Sequence, residues 1–461
     1  MQNIKRIIFM MAALYFTGTL SGCRKYLEID QPKDQITSEA VFDNATNTLA
    51  AVNGLYTYAL KPSNFLTYQG DFLMGVNADE FTYGLDTYDG FMNNSIPPAN
   101  NDLLNIWTIF YQVIYQANSI IEKVPGSPVS DSLKAVYISE AKIFRAFCHL
   151  YLTCYFGDVP LIKTTNVTIT STMPRTPKAT VLEAITTDLK EAEAVLPVGS
   201  VRNGRFNKWM ATALLARVYL YQQDWANAEA KASVLISLSD FSLLPDLNKV
   251  FLRGSKEAIW QVNTAGGAND NYTYFAGINV PTANTALIRI TQIRPELYNA
   301  FETGDARKTA WIGTGTISGT TFNYDYKYKA TSTPTSSAAI EDFMLLRLAE
   351  QYLIRAEARA QQDNLQGAID DINVIRARAG LTGTSATTKD DVLLAVEQER
   401  RVELFGEGYG HRWIDLVRTG RIDAVMTAEK PNTWKNTSVL LPIPATELAN
   451  NPALKPNPSN Y

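Results

Sequence analysis

The chain has 461 residues, 46% of them hydrophobic, with a formal net charge of -4, so it can bury a large core. Its overall charge provides no basic field to gather nucleic acid. Two histidines, His149 and His411, are too few for a multi-His zinc site and leave little for a His-based catalytic triad, and no glycine-rich phosphate loop with a Lys-Ser/Thr ending occurs.

Lys5 and Arg6 precede an uncharged, largely apolar run from Ile7 to Leu20, and Leu20-Ser21-Gly22-Cys23 follows at once. The run is short for a bilayer-spanning helix, and small residues before a cysteine suit cleavage rather than stop-transfer. Residues 1–22 therefore read as a lipoprotein signal peptide and Cys23 as the lipidated first residue of the mature chain, with 23–38 a tether. Of the remaining cysteines, Cys148 and Cys154 are six positions apart in one helical stretch, about 9 Å by helical rise. That is beyond disulfide reach, so both read as buried thiols.

Val41, Ala45, Leu49, Val52 and Tyr56 fall at helical spacing, predicting a helix between Glu39 and Leu60. From Lys61 to Asn101 periodicity fades while Gly, Asn, Asp and Tyr accumulate, which predicts an irregular surface loop. Helical periodicity returns over Leu103–Val124, Ser132–Phe156, Val181–Leu196, Lys208–Leu238 and Asp342–Ala379. Ala213–Ile236 and Tyr352–Ile375 resemble each other: a helix, a Gln-Gln-Asp turn, an alanine shortly after, and a second apolar-periodic helix. Ala216, Ala228, Ala356 and Ala368 are small enough for close helix approach, the logic of tetratricopeptide pairs. Ordinary helical hairpins without repeat descent are the alternative. The segment 251–340 turns to Thr, Gly, Asn and Tyr with β-prone pieces such as AIWQV and YDYKYKA, a less regular inserted subdomain. It divides a helical region 39–250 from a C-terminal region 341–461. Alternation predicts Tyr324, Tyr326 and Tyr328 on one strand face.

Near the C-terminus, ERRVELFGEGYGHRWIDLVRTGR (Glu399–Arg421) resembles the signature of the SusD/RagB family of outer-membrane lipoproteins, through Arg401, Glu403, Leu404, Glu407, Gly408, Arg412, Trp413, Asp415, Leu416, Arg418 and Gly420. RAFCHLYLTCYFGDVPL from Arg145, LLRLAEQYLIRAEARAQ from Leu345, INVIRARAGL from Ile372 and LPIPATELANNPALKPNPSNY from Leu441 extend the match over essentially the whole chain.

The resemblance implies a mainly α fold: four tetratricopeptide-like helical pairs carrying a loop-rich, short-strand subdomain. It implies a cell-surface, lipid-anchored protein that captures a nutrient, most often a glycan, and delivers it to a SusC-like TonB-dependent barrel transporter. Peptide-binding relatives leave a peptide ligand as an alternative. Structural ion pairs are expected at Arg401, Glu403, Glu407, Arg412 and Asp415, with His411 part of that packing.

No catalytic group is expected, although 46 acidic residues leave a carboxylate-pair glycosidase formally open. Neither is a cofactor: the Asp/Asn-rich loops could carry a Ca²⁺ but lack the spacing of a calcium loop. Sugar binding needs rings for stacking and amide or carboxylate groups for hydroxyls. Both coincide in Tyr68–Asn101 and Asn269–Tyr328, so the candidate ligand residues are Tyr68, Asn77, Asp79, Tyr83, Tyr88, Asn101, Tyr272, Tyr274, Trp311 and Tyr324. Asp71, Phe275, Tyr326 and Tyr328 lie in the same two segments. Rings at helical spacing, such as Tyr219 and Tyr352, are expected in the core.

Overall fold

A computed structural model describes residues 4–5, 40–61, 65–199, 204–264, 271–282 and 291–457. The signal peptide, Cys23 and the 23–38 tether lie outside the described residues, apart from residues 4–5.

Nine helices of 12 residues or more dominate the described chain: α1 (Ala45–Ala59), α2 (Asn101–Lys123), α3 (Asp131–Phe156), α4 (Lys178–Val195), α5 (Lys208–Gln222), α6 (Trp225–Ile236), α7 (Leu348–Gln361), α8 (Leu365–Arg378) and α9 (Lys389–Glu403). Each packs on the next in chain order, giving four successive pairs from α1/α2 to α7/α8, closed by α9 on α7 and α8. This is the mainly α, tetratricopeptide-like arrangement expected. Short polar side chains start the helices: Asn44, Asn100, Asn207, Asp224, Asn364 and Thr388 each accept a backbone N–H of the first turn.

The two similar hairpins superimpose from their caps. Asp224 and Asn364 open α6 and α8, each just after a left-handed residue, Gln223 (φ 60°) or Asp363 (φ 63°). Ala228 and Ala368 lie four residues after their caps and Ala216 and Ala356 eight before, and all four are fully buried. A methyl group at these positions lets neighbouring backbones approach. Ion pairs tie helix to helix: Arg145 to Asp188 (α3–α4, 2.7 and 2.8 Å), Arg217 to Glu350 (α5–α7, both 2.6 Å) and Arg355 to Asp371 (α7–α8, 2.6 and 2.9 Å). Cys148 and Cys154 are free and buried, and Tyr219 is buried as expected, whereas Tyr352 is half-buried.

Among the described residues the strands form three two-stranded antiparallel sheets: β1 (Phe81–Tyr83) with β3 (Thr291–Ile293), β2 (Ala258–Val262) with β6 (Phe343–Arg347), and β4 (Ile312–Ile317) with β5 (Thr320–Asp325). β6 takes the start of the stretch expected to be helical from Asp342, because FMLLR is apolar at every position and is buried along its whole length against β2.

The larger departure is the 61–101 segment. Where a surface loop was expected, a π-helical turn (Phe65–Gln69) runs into a helix (Gly70–Asn77) whose eight residues are all buried. Gly70 accounts for part of the difference. A Cβ there would lie 2.3 Å from the Tyr409 ring and 2.8 Å from the Phe65 carbonyl oxygen, so the glycine is a packing requirement and not a turn signal. Tyr409, from the C-terminal signature, caps this buried helix: its N–H donates to Asp71 Oδ1 (2.6 Å), its hydroxyl to the Leu66 carbonyl, and its own carbonyl accepts from Tyr155 (2.6 Å).

Candidate functional site

Antiparallel pairing of β1 with β3, Tyr83 opposite Thr291, brings the 68–101 segment alongside residues 291–293, and Tyr274 packs on Tyr68. There the rings of Tyr68, Phe72, Tyr83, Tyr88 and Tyr274 form one connected cluster. Phe72 meets Tyr83 edge-on at 5.5 Å and Tyr88 at 4.9 Å, Tyr83 and Tyr88 are 5.2 Å apart, and Tyr68 lies parallel to Phe72 at 6.0 Å and edge-on to Tyr274 at 5.1 Å. Tyr68 and Phe72 are the buried base, while Tyr83, Tyr88 and Tyr274 are half-buried and reach the surface. A ring gripped from below with one side open is the form a sugar-stacking platform takes.

At the start of α2, the Asp102 carboxyl stands close enough to Tyr88 to act on its hydroxyl. Asn101 is exposed in the first turn of that helix, and the Asp102 carboxyl is raised by burial. Burial and the neighbouring Asp102 charge raise the Tyr88 hydroxyl as well, so it remains a neutral donor at physiological pH. Asn105 Nδ2 donates to Gln69 Oε1 (3.1 Å), tying α2 to the segment that carries Tyr68. Tyr272 is half-buried beside Gly277, where an added Cβ would stand 3.2 Å from its ring.

Several expected ligand residues are not available. Trp311 is wholly buried: its indole N–H donates to the Leu247 carbonyl (3.1 Å), and its ring lies near Lys327, Arg347 and Arg378. Asp79 is also wholly buried and ion-paired, and buried Asn77 offers its carbonyl to Asn94 (2.8 Å) and Lys430 (3.0 Å). Tyr68 serves beneath the platform and is not part of its face. Tyr324, half-buried, lies over its cross-strand partner Gly313, where a Cβ would come within 2.3 Å of the ring. Tyr326 packs edge-on to Tyr324 at 5.7 Å, but Tyr328 is buried against Phe343, so the three do not share one open face. β5 ends at Asp325, before the alternation reaches the last two.

The signature residues build a buried charge network. Arg401 and Arg412 both hold Asp79; Glu403 takes Arg347 (2.6 Å), Arg307 (3.1 Å) and Arg378; Glu407 takes Arg347 (2.7 Å) and Lys327 (2.5 Å). Asp415 pairs with Arg400 (2.6 Å) and Arg418 (2.8 Å), and not with Arg412 one turn away. Burial pushes these carboxyls up, but the surrounding cations outweigh it and hold Asp79, Glu403, Glu407 and Asp415 below their ordinary values. His411 is buried within this network, and burial together with the nearby arginines keeps it neutral.

Glu80 and Asp325 are among the buried acids that escape that compensation, as is Asp71, which burial pushes well up. Burial and the Asp79 charge push Glu80 up to about 8, and burial pushes Asp325 up to about 7. Such carboxyls have the protonation a general acid needs, but each is only 2% exposed, so a polysaccharide reaches neither in this structure. No three His, Cys, Asp or Glu of the described residues are grouped to hold a metal, and none of their helices is long and apolar enough to cross a membrane.

Comparison with known proteins agrees with this architecture. Residues 324–461 match the model described as "SusD family", and residues 25–220 match "Starch-binding associating with outer membrane". SusD-like protein P38 of Formosa agariphila is 27% identical over 99% of both chains, and the starch-binding protein SusD of Bacteroides thetaiotaomicron is 26% identical over 75% of this chain and 76% of its own. Among solved structures, a laminarin-binding SusD-like protein overlays with a TM-score of 0.77 at 25% identity, covering 91% of this chain and all of its own. Surface glycan-binding protein A of B. thetaiotaomicron, in complex with laminarihexaose, overlays at 0.76 and 22% identity over 90% of this chain and 99% of its own. With the signature network built as described and matching models at both ends, the chain belongs to the SusD/RagB family.

Proposed function

We propose that this protein is a non-catalytic, lipid-anchored glycan-binding protein of the outer-membrane surface, which captures an oligosaccharide and passes it to a SusC-like TonB-dependent barrel. The observation that carries this reading is the Tyr83, Tyr88 and Tyr274 platform beside Asp102, in a chain that resembles a starch-binding protein over 75% of its sequence and shares the fold of a laminarin-binding protein over 91% of its length. Cys23 is the attachment point in this reading, and the outer-membrane wording of the N-terminal family model supports the location.

The test is a glycan and peptide array probed with the purified protein, followed by titration of the best ligand into Tyr83→Ala, Tyr88→Ala and Tyr274→Ala. Loss of about 1–3 kcal/mol of binding at a main platform ring, with the melting temperature nearly unchanged, is expected. Binding only to peptides would replace the ligand class. Bond cleavage abolished by a single Asp or Glu substitution would replace the reading altogether. Co-purification with a large barrel protein tests the partner, and loss of palmitate-analogue labelling in Cys23→Ala tests the anchor.

A further inference from the structure

A second cleft, of about 720 Å³, opens between α1, α2, the 160–171 segment and the C-terminal helix Ala445–Asn450, and none of the platform residues lines it. Its wall contains a ladder of rings that helical spacing alone would assign to the core. Trp107, Tyr111 and Tyr115 follow one another at four-residue intervals on α2, a rise of about 6 Å per step. Along that ladder exposure grows from 3% at Trp107 through half-buried Tyr111 to 52% at Tyr115, and Tyr58 of α1, 36% exposed, adds a fourth ring. A core-facing stripe would not open in this way, and a linear chain of sugar rings has a repeat close to the ladder's step.

The cleft is held in shape. The Tyr111 hydroxyl donates to the Pro160 carbonyl (2.9 Å), Tyr58 donates to Gln112, and Trp107 packs edge-on to Phe156 at 5.0 Å. The opposite wall is pinned by Asn118 Nδ2 on the Ile162 carbonyl (3.1 Å) and Asn451 Nδ2 on the Met173 carbonyl (2.9 Å). Amides and hydroxyls of Gln116, Thr164, Thr170, Ser171 and Asn450 are interleaved with the rings. Among the described residues, Glu447 is the only carboxylate in the lining and no Lys, Arg or His lines it, which disfavours acidic sugars.

We propose that this cleft is a second carbohydrate-binding site, taking a short neutral oligosaccharide with Tyr115 and Tyr58 stacked on sugar faces. It rests on the glycan-capture reading but not on the position of the first platform. Two sites on one polymer would raise retention through effective concentration.

Calorimetric titration of the purified protein with laminarihexaose, maltoheptaose and xylohexaose tests it. The expected result is two sites per chain for a bound oligosaccharide. Tyr58→Ala/Tyr115→Ala should remove one of them, with at least tenfold weaker binding there and an unchanged melting temperature, and Tyr83→Ala/Tyr88→Ala should remove the other. A single site lost only in the Tyr83/Tyr88 variant overturns the second site and leaves the proposed function standing. A single site lost only in the Tyr58/Tyr115 variant supports the second site and overturns the platform. Binding of none of the three sugars overturns the second site as a receptor for neutral oligosaccharides. If Tyr58→Ala/Tyr115→Ala abolishes co-purification with a barrel protein while sugar stoichiometry is unchanged, the cleft is a protein contact and the inference fails.

Discussion

Asp79 and Arg412, 333 positions apart in the chain, meet side-on in the interior, Nε to Oδ1 at 2.8 Å and Nη2 to Oδ2 at 3.0 Å, with Asp79 wholly buried. The pair joins the C-terminal signature to the turn just before β1, and so to the base of the ring platform. A buried ion pair adds little net stability over an apolar substitute, but breaking one side leaves a buried charge under-compensated, here Asp79 with Arg401 alone. Arg412→Met should therefore cost about 3–5 kcal/mol in denaturant unfolding, and adding Asp79→Asn should recover part of that loss. A double variant no more stable than the single one would show that the pair is not the cause.

Trp311 and Tyr88 should separate stability from binding. Trp311→Ala removes a wholly buried indole beside three cations and should destabilise the fold by about 3–5 kcal/mol. Below its melting temperature, ligand affinity should stay within about twofold of the parent. Tyr88→Ala should do the reverse in the same titration and melting measurements.

Gly70→Ala tests the helix that replaced the expected loop. A Cβ at 2.3 Å from the Tyr409 ring and 2.8 Å from the Phe65 carbonyl oxygen forces two packed segments apart. Overpacking of this kind costs about 1–3 kcal/mol, read from the shift in denaturation midpoint. In a surface loop the same change would be neutral or slightly stabilising.

Glu80 predicts a pH dependence. Its folded-state carboxyl is raised to about 8 from an ordinary 4.5, so the folded state binds more protons than the unfolded state between those values. The protein therefore loses stability through this group as pH rises from about 4.5 to 8, and the penalty is constant above. Glu80→Gln removes the titration, so the stability of the variant relative to the parent should rise by up to a few kcal/mol between pH 5 and 8. Thermal melts of both proteins across that range check it, and a constant difference would refute the assignment.

The limits of sequence legibility follow from the physics of each segment. Helical periodicity is legible where a helix buries one stripe, as α1, α2, α4, α6 and α8 do, whereas α5 and the second half of α3 are buried all round and are legible as long runs free of Gly and Pro. Both are local properties that the order of residues displays directly. The caps were equally local: Asp224 and Asn364 act on backbone N–H groups three residues away. The segment 61–101 was opaque because Gly70, Asp71 and Asn77 are buried by partners hundreds of positions distant, and their polar or turn-forming character carries no trace of that. The Trp107–Tyr111–Tyr115 ladder is illegible in the sequence for the opposite reason. Its spacing matches a core stripe, and only the absence of packing over Tyr115 distinguishes it.

The sequence by itself determined the mainly helical scaffold, the paired hairpins and the family signature, since each is written in spacing along a few turns of chain. It also marked the two segments whose rings and polar groups could meet a ligand. Only the tertiary structure decided which of those rings reach the surface. β1 pairing with β3 selects Tyr83, Tyr88 and Tyr274 for the surface, whereas Trp311 and Asp79 are drawn inside by a cation cluster and an arginine pair. Exposure of a side chain is set by what packs over it, and those neighbours come from remote parts of the chain.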